Sequence, residues 1–160
     1  MSQLPLTGTK ILDLADTREG SPCARILAGW GGERLVLPSS LKPDHAEGRR
    51  ILLMLVQEAD VLVTQGDVDL AMLHEYNPML IVCRILASES PWEAASGILI
   101  ALLQRDRTGM GQLVTLEPGE GPVFTGFSAV SPPEADPDDT LIRLGYAPET
   151  IAALRRDGIL

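Results

Sequence analysis

The chain predicts an α/β fold: a mainly parallel sheet with helices on both faces. Two observations carry this. Short apolar runs with β-branched members alternate with amphipathic stretches of helical period from Lys10 to Leu116, an order that gives parallel strands joined by crossover helices. The short runs are also apolar on nearly every residue, as strands covered on both faces require.

The elements follow in order. Lys10 to Leu14 is a buried strand by its apolar run. Pro22 to Trp30 is a helix, with Cys23, Ile26, Leu27 and Trp30 on one face, Pro22 at its first position and Gly31-Gly32 at its end. Leu35 to Leu37 is the second strand. Glu47 to Glu58 is a helix with Ile51, Leu52, Leu55 and Val56 inward. Val61 to Val63 is the third strand, Val68 to Glu75 a short helix, and Met79 to Ile85 the fourth strand. Pro91 to Arg105 is the longest helix, stopped by Gly109, and Leu113 to Leu116 is the fifth strand. Residues 117–136 concentrate proline and glycine without periodicity and read as an extended linker. Asp138 to Leu144 and Pro148 to Arg156 are two short closing helices, the second with Pro148 at its start and Gly158 past its end.

A length of 160 residues fits a single unit over 1–160. Thirteen basic against 22 acidic side chains give a net charge of -9, which argues against nucleic acid or an anionic membrane as partner. Aromatic residues make up 4%, too few for a base-stacking platform. Cys23 and Cys83 lie in apolar runs and read as buried free thiols of a reducing compartment. The N-terminus has no basic region followed by an apolar run, and no apolar stretch reaches membrane-spanning length, so the expected location is the cytoplasm. His45 and His74 have no metal-ligand spacing and read as solvated, so no metal is expected. The acidic run Glu134 to Asp139 reads as a solvated loop capping the next helix. No nucleophile-elbow, P-loop or G-x-G-x-x-G motif occurs.

Several segments carry a resemblance. Leu6-Thr-Gly-Thr-Lys-Ile-Leu-Asp-Leu14 followed by Gly20-Ser-Pro-Cys-Ala-Arg-Ile-Leu-Ala28 resembles the opening of the family III (CaiB/BaiF-type) CoA-transferases. Ala59-Asp-Val-Leu-Val-Thr-Gln65, Asn77-Pro-Met-Leu-Ile81, Arg105-Asp-Arg-Thr-Gly-Met-Gly-Gln112 and the terminal Leu144-Gly-Tyr to Gly158-Ile159 resemble later family segments, in the family's order. The resemblance implies a Rossmann-like large domain closed by its C-terminal helices. It implies that residues 117–136 stand where members, more than twice as long, build their small domain. It also implies CoA or an acyl-CoA as a possible substrate.

The resemblance implies an aspartate nucleophile at the start of the long helix, in a pattern like D-L-x-x-G. Here that stretch reads Leu86-Ala-Ser-Glu-Ser-Pro-Trp-Glu-Ala94, with no such pattern. Glu89 is the candidate substitute nucleophile; the competing reading is that Glu89 and Glu93 favour the helix N-terminus electrostatically. Asp67 stands where members carry an arginine that helps hold CoA, which opposes a phosphate there. The strand–Gly20–helix unit can offer free N–H groups to an anion. Arg18 and Arg25 are the basic groups nearest to it, Gln65 closes the third strand, and Asp13 ends the first strand where α/β folds place ligands. A tight connection and a structural turn carboxylate are the competing readings. The segment Arg107 to Gln112 reads as a glycine-dependent turn from helix to strand.

Three functional readings follow. One is a reduced CoA-transferase-like protein without conventional catalysis, acting as a binding or assembly subunit in a homo-oligomer or beside a full-length homologue. Another is an enzyme acting on an acyl-CoA or related acyl compound, by CoA transfer, racemisation or dehydration-type chemistry, through relocated residues such as Asp16, Glu89 or Arg25. The third is a domain whose partner supplies the nucleophile.

Overall fold

The structure is a computed structural model that describes residues 3–14, 21–37, 44–85, 90–117, 121–124 and 136–159. The backbone divides into two compact units, Met1–Ser128 and Ala129–Leu160, where the sequence reading took 1–160 as one.

The first unit is a six-stranded sheet: β1 (Lys10–Asp13), β2 (Glu33–Val36), β3 (Val61–Thr64), β4 (Ile81–Arg84), β5 (Leu113–Glu117) and β6 (Gly121–Phe124). The strand order is β2-β1-β3-β4-β5-β6. The first five strands run parallel and β6 is antiparallel to β5, so the sheet is mixed. β6 lies inside the segment read as linker; Pro122 and Gly121 hid it, because an edge strand tolerates residues that a central strand rejects.

Four helices connect the strands: α1 (Pro22–Gly29), α2 (Ala46–Glu58), α3 (Leu70–Tyr76) and α4 (Pro91–Thr108). Strand alternation sorts the core into two layers. Ile11, Val61, Val63, Ile81, Cys83 and Val114 pack with Cys23 and Leu27 of α1 and with Ala94, Ile98 and Ala101 of α4. Leu12, Leu62, Leu80 and Val82 pack on the other side with Val56 of α2 and Leu73 of α3. Burying each large aliphatic side chain stabilises the fold by about 1.5–3 kcal/mol. The face of α4 toward the sheet is built from small residues, so the helix approaches closely: a Cβ on Gly97 would lie 2.9 Å from both Pro122 and Val114 side chains. α2 is rotated from the expected inward set, with Ile51 exposed, Leu52 and Leu55 half-buried and Val56 buried.

Local sequence sets the helix ends. Ser21 caps α1, its Oγ accepting from the Ala24 N–H at 3.1 Å. Asp69 caps α3 by accepting from the Met72 N–H at 3.0 Å, which is why that helix starts at Leu70 rather than Val68. α4 runs to Thr108 because Gly109, at φ 71°, supplies the left-handed turn that ends it.

The second unit contains α5 (Pro137–Arg143) and α6 (Pro148–Arg156). Asp136 caps α5, accepting from the Asp138 N–H at 2.9 Å, and Arg155 pairs with Asp138 at 2.6 Å. Gly145, at φ 94°, makes the turn between the two helices.

Candidate functional site

In a doubly wound sheet the chain leaves β1 toward one side and β3 toward the other. The crevice beyond their carboxyl ends is where such folds place ligands. Asp13, Thr64 and Arg84 are the last residues of β1, β3 and β4 and mark that edge.

Asp13 is buried there, and its carboxylate serves the chain itself. One oxygen, Oδ2, accepts from the Ser21 N–H at 2.8 Å and from the Arg34 guanidinium at 3.3 Å. Ser21 in turn caps the following N–H groups, so the start of α1 already holds a negative charge and an internal acceptor. Cys23 lies one residue into α1, and burial, then the Asp13 charge, pushes its thiol up to about 12. A thiol so shifted stays protonated and unreactive at neutral pH. Arg25 is exposed on α1, and Gln65 is exposed just past β3. Asp16, Arg18, Gly20 and Glu89 lie outside the described residues. Glu93 is exposed in the first turn of α4, whose cap Ser90 makes no side-chain hydrogen bond.

Asp67, expected to oppose a phosphate, is paired. Its Oδ1 is 2.6 Å from Arg84 Nη1, so the local charge is neutralised rather than inverted. Arg84 was missed; the signal was an arginine closing an otherwise apolar strand. In register, Arg84 faces Thr64 of β3 and Thr115 of β5. Alternation places the three side chains on the same face of the sheet, one step beyond the Leu62–Val82–Leu113 row. Thr64 Oγ1 accepts from the Gly66 N–H at 3.1 Å.

Asp60, Asn77 and the Arg105–Gln112 segment, which carried part of the resemblance, sit at the opposite, amino edge of the sheet. Asp60 accepts from the Lys10 N–H at 2.8 Å and from Arg105 at 2.9 Å, tying β1, β3 and the end of α4 together. Asn77 Nδ2 donates to the Val56 and Ala59 carbonyls at 2.9 and 2.8 Å, joining α2 to the turn before β4. Gly111 packs directly on the Leu80 carbonyl, and its N–H donates to Pro78 at 2.8 Å. These are scaffold contacts, and the expected glycine turn at Gly109 is present.

His45 is exposed, as expected, and His74 is half-buried. His45 Nδ1 caps α2, accepting from the Glu47 N–H at 3.3 Å, and half-buried His74 donates from Nε2 to the Leu80 carbonyl at 3.1 Å. Among the described residues no group of three or more His, Cys, Asp or Glu could hold a metal ion. A shallow groove of about 380 Å³ lies away from the sheet edge, between α2 and Tyr76, lined by Arg49, Arg50, Leu53 and Met54 among others. No described helix is long and apolar enough to cross a membrane.

The fold and its edge define a doubly wound α/β protein with a mixed six-stranded sheet and an internally paired carboxyl edge. Solved structures share that fold. Rv3272 of Mycobacterium tuberculosis matches with a TM-score of 0.59 at 16% identity over 70% of this chain and 54% of that one. A CaiB/BaiF family protein from Brucella suis matches with a TM-score of 0.56 at 17% identity over 70% of this chain and 52% of that one. The chain thus has a CaiB/BaiF-like fold and spans about half the length of these structures. No family model and no curated protein matches the sequence.

Proposed function

We propose that this chain is a reduced CoA-transferase-like protein without conventional transferase catalysis, acting as a binding or assembly subunit. One observation carries the reading: the described charged groups of the carboxyl edge are already engaged by the chain's own carboxylates. Asp13 occupies the N-terminus of α1 and pairs with Arg34, and Asp67 covers Arg84. A polyanion such as CoA meets few open cations there, on a chain of net charge -9. In this reading residues 117–136 replace the small domain, and the protein works in the cytoplasm. The assembly half draws on exposed apolar side chains on α4: Trp92 is 61% and Leu103 63% exposed. Such side chains mark protein contact surfaces when they adjoin, and the proposed partner is a second copy or a full-length homologous subunit.

The test is calorimetric titration of the purified chain with CoA and acetyl-CoA at low and physiological salt, with molar mass measured by light scattering. The expected result is no saturable binding at millimolar ligand and a mass above the monomer. Saturable micromolar binding overturns the reading and directs attention to the enzyme alternative. There, Glu89→Gln and Asp16→Asn would have to abolish turnover while leaving the melting temperature nearly unchanged.

A further inference from the structure

We propose that the Thr64–Arg84–Thr115 row is a binding site for a small oxyanion, the group shared by carboxylates and phosphates, with Asp67 as its displaceable internal occupant. Two ion pairs at the same edge are built differently. Arg34 is held by Asp13, whose side chain is 1% exposed and also accepts a backbone N–H. That carboxylate is part of the fold. Arg84 is held by Asp67, whose side chain is 93% exposed on the loop after β3 and makes no other hydrogen bond among the described residues. An exposed pair of this kind contributes little to stability, so a competing anion faces little opposition.

Position supports exchange. Arg84 ends a strand in the middle of the sheet, its side chain only 37% exposed. Its guanidinium is open to solvent on one side, and the planar fork matches a carboxylate or phosphate. The neighbouring strands, about 4.8 Å away on either side, bring Thr64 and Thr115 to flank it on the same face. The Thr64 hydroxyl already donates to the Gly66 carbonyl at 3.4 Å and must turn to serve an incoming anion, whereas Thr115 can add a donor directly. The Asp67 carboxylate shows that an oxyanion reaches the Arg84 guanidinium at this end of the row.

This inference rests on the reading that the resting edge is closed by the chain's own carboxylates. The test compares the full-length protein with Asp67→Asn and Asp67→Asn/Arg84→Gln. Inorganic phosphate and acetate are titrated separately at low salt, followed by calorimetry and by chemical-shift changes of the Thr64 and Thr115 amides. Removing the internal competitor is expected to tighten binding of at least one anion about two- to fivefold, and adding Arg84→Gln is expected to abolish it. The better-bound anion identifies the ligand group. No tightening in Asp67→Asn, or binding that survives Arg84→Gln, overturns the proposal. Melting curves of both variants confirm that each is folded before titration. Tight CoA binding by the wild-type protein would sink the proposed function, yet the variant comparison would still report on Arg84.

Discussion

Replacing Gly111 with alanine should be among the most damaging small changes this chain can suffer. A Cβ built there lies 2.0 Å from the Leu80 carbonyl oxygen, 2.5 Å from its carbon and 2.6 Å from the Met79 carbon. An ordinary C···O contact is about 3.3 Å, so the start of β5 must move away from β4 by roughly 1.3 Å. That shift breaks the Gly111 N–H to Pro78 bond at 2.8 Å and the Val82 N–H to Gln112 bond at 2.9 Å. Two lost backbone bonds cost about 1 kcal/mol each, and forced repacking of a filled core adds about 1–3 kcal/mol. The expected loss is therefore about 3–5 kcal/mol, a large share of the 5–15 kcal/mol typical of a whole domain. Gly109→Ala is the control: it faces open space, so only the left-handed φ of 71° opposes it, at about 1–2 kcal/mol. Urea unfolding followed by tryptophan fluorescence reports both, since Trp30 and Trp92 stand with ring centroids 6.1 Å apart. Equal midpoints for Gly111→Ala and wild type, or a larger loss for Gly109→Ala, would refute the close-approach argument.

Three other outcomes follow from the same geometry. Asp60→Ala should cost about 2–3 kcal/mol, because it orphans the Lys10 N–H and leaves Arg105, 12% exposed, without its carboxylate; a double-mutant cycle with Arg105→Met should recover part of the loss. Cys23 should resist alkylation in the native protein at pH 8 and react on unfolding. Its raised pKa means the unfolded chain releases that proton first, so this contribution to stability is whole below about pH 9 and is lost as pH rises toward 12; alkaline melting curves of wild type and Cys23→Ala should diverge in that window. Asp67→Ala should change stability by less than about 0.5 kcal/mol, since its carboxylate is exposed, and an unfolding midpoint checks it.

Much of the fold was legible because burial writes itself into local pattern. β1, β3 and β4 are apolar where both faces are covered, and Pro22, Pro91 and Pro148 start helices as expected. β6 was not legible: its four residues include a proline and a glycine, and its only mark as a strand is its antiparallel pairing with the neighbouring β5. The candidate site was half visible. Asp13 could be placed at a strand end from sequence. Its partner Arg34 and the Asp67–Arg84 pair depend on which strands neighbour one another, and the order β2-β1-β3-β4 is tertiary information. Asp67 looked like a charge reversal because its cation is 17 residues distant in sequence. Asp16, Arg18, Gly20 and Glu89 lie outside the described residues.

The division between the two edges of the sheet has an evolutionary corollary. Asp60, Asn77, Arg105 and Gly111 clamp the amino edge, where losing any one threatens the whole fold. Exposed residues of the carboxyl edge, such as Asp67, can be exchanged at much smaller cost. A lineage can therefore drift through many chemistries while its foundations stay recognisable. The fold is held at one edge, and what the protein does must be read at the other.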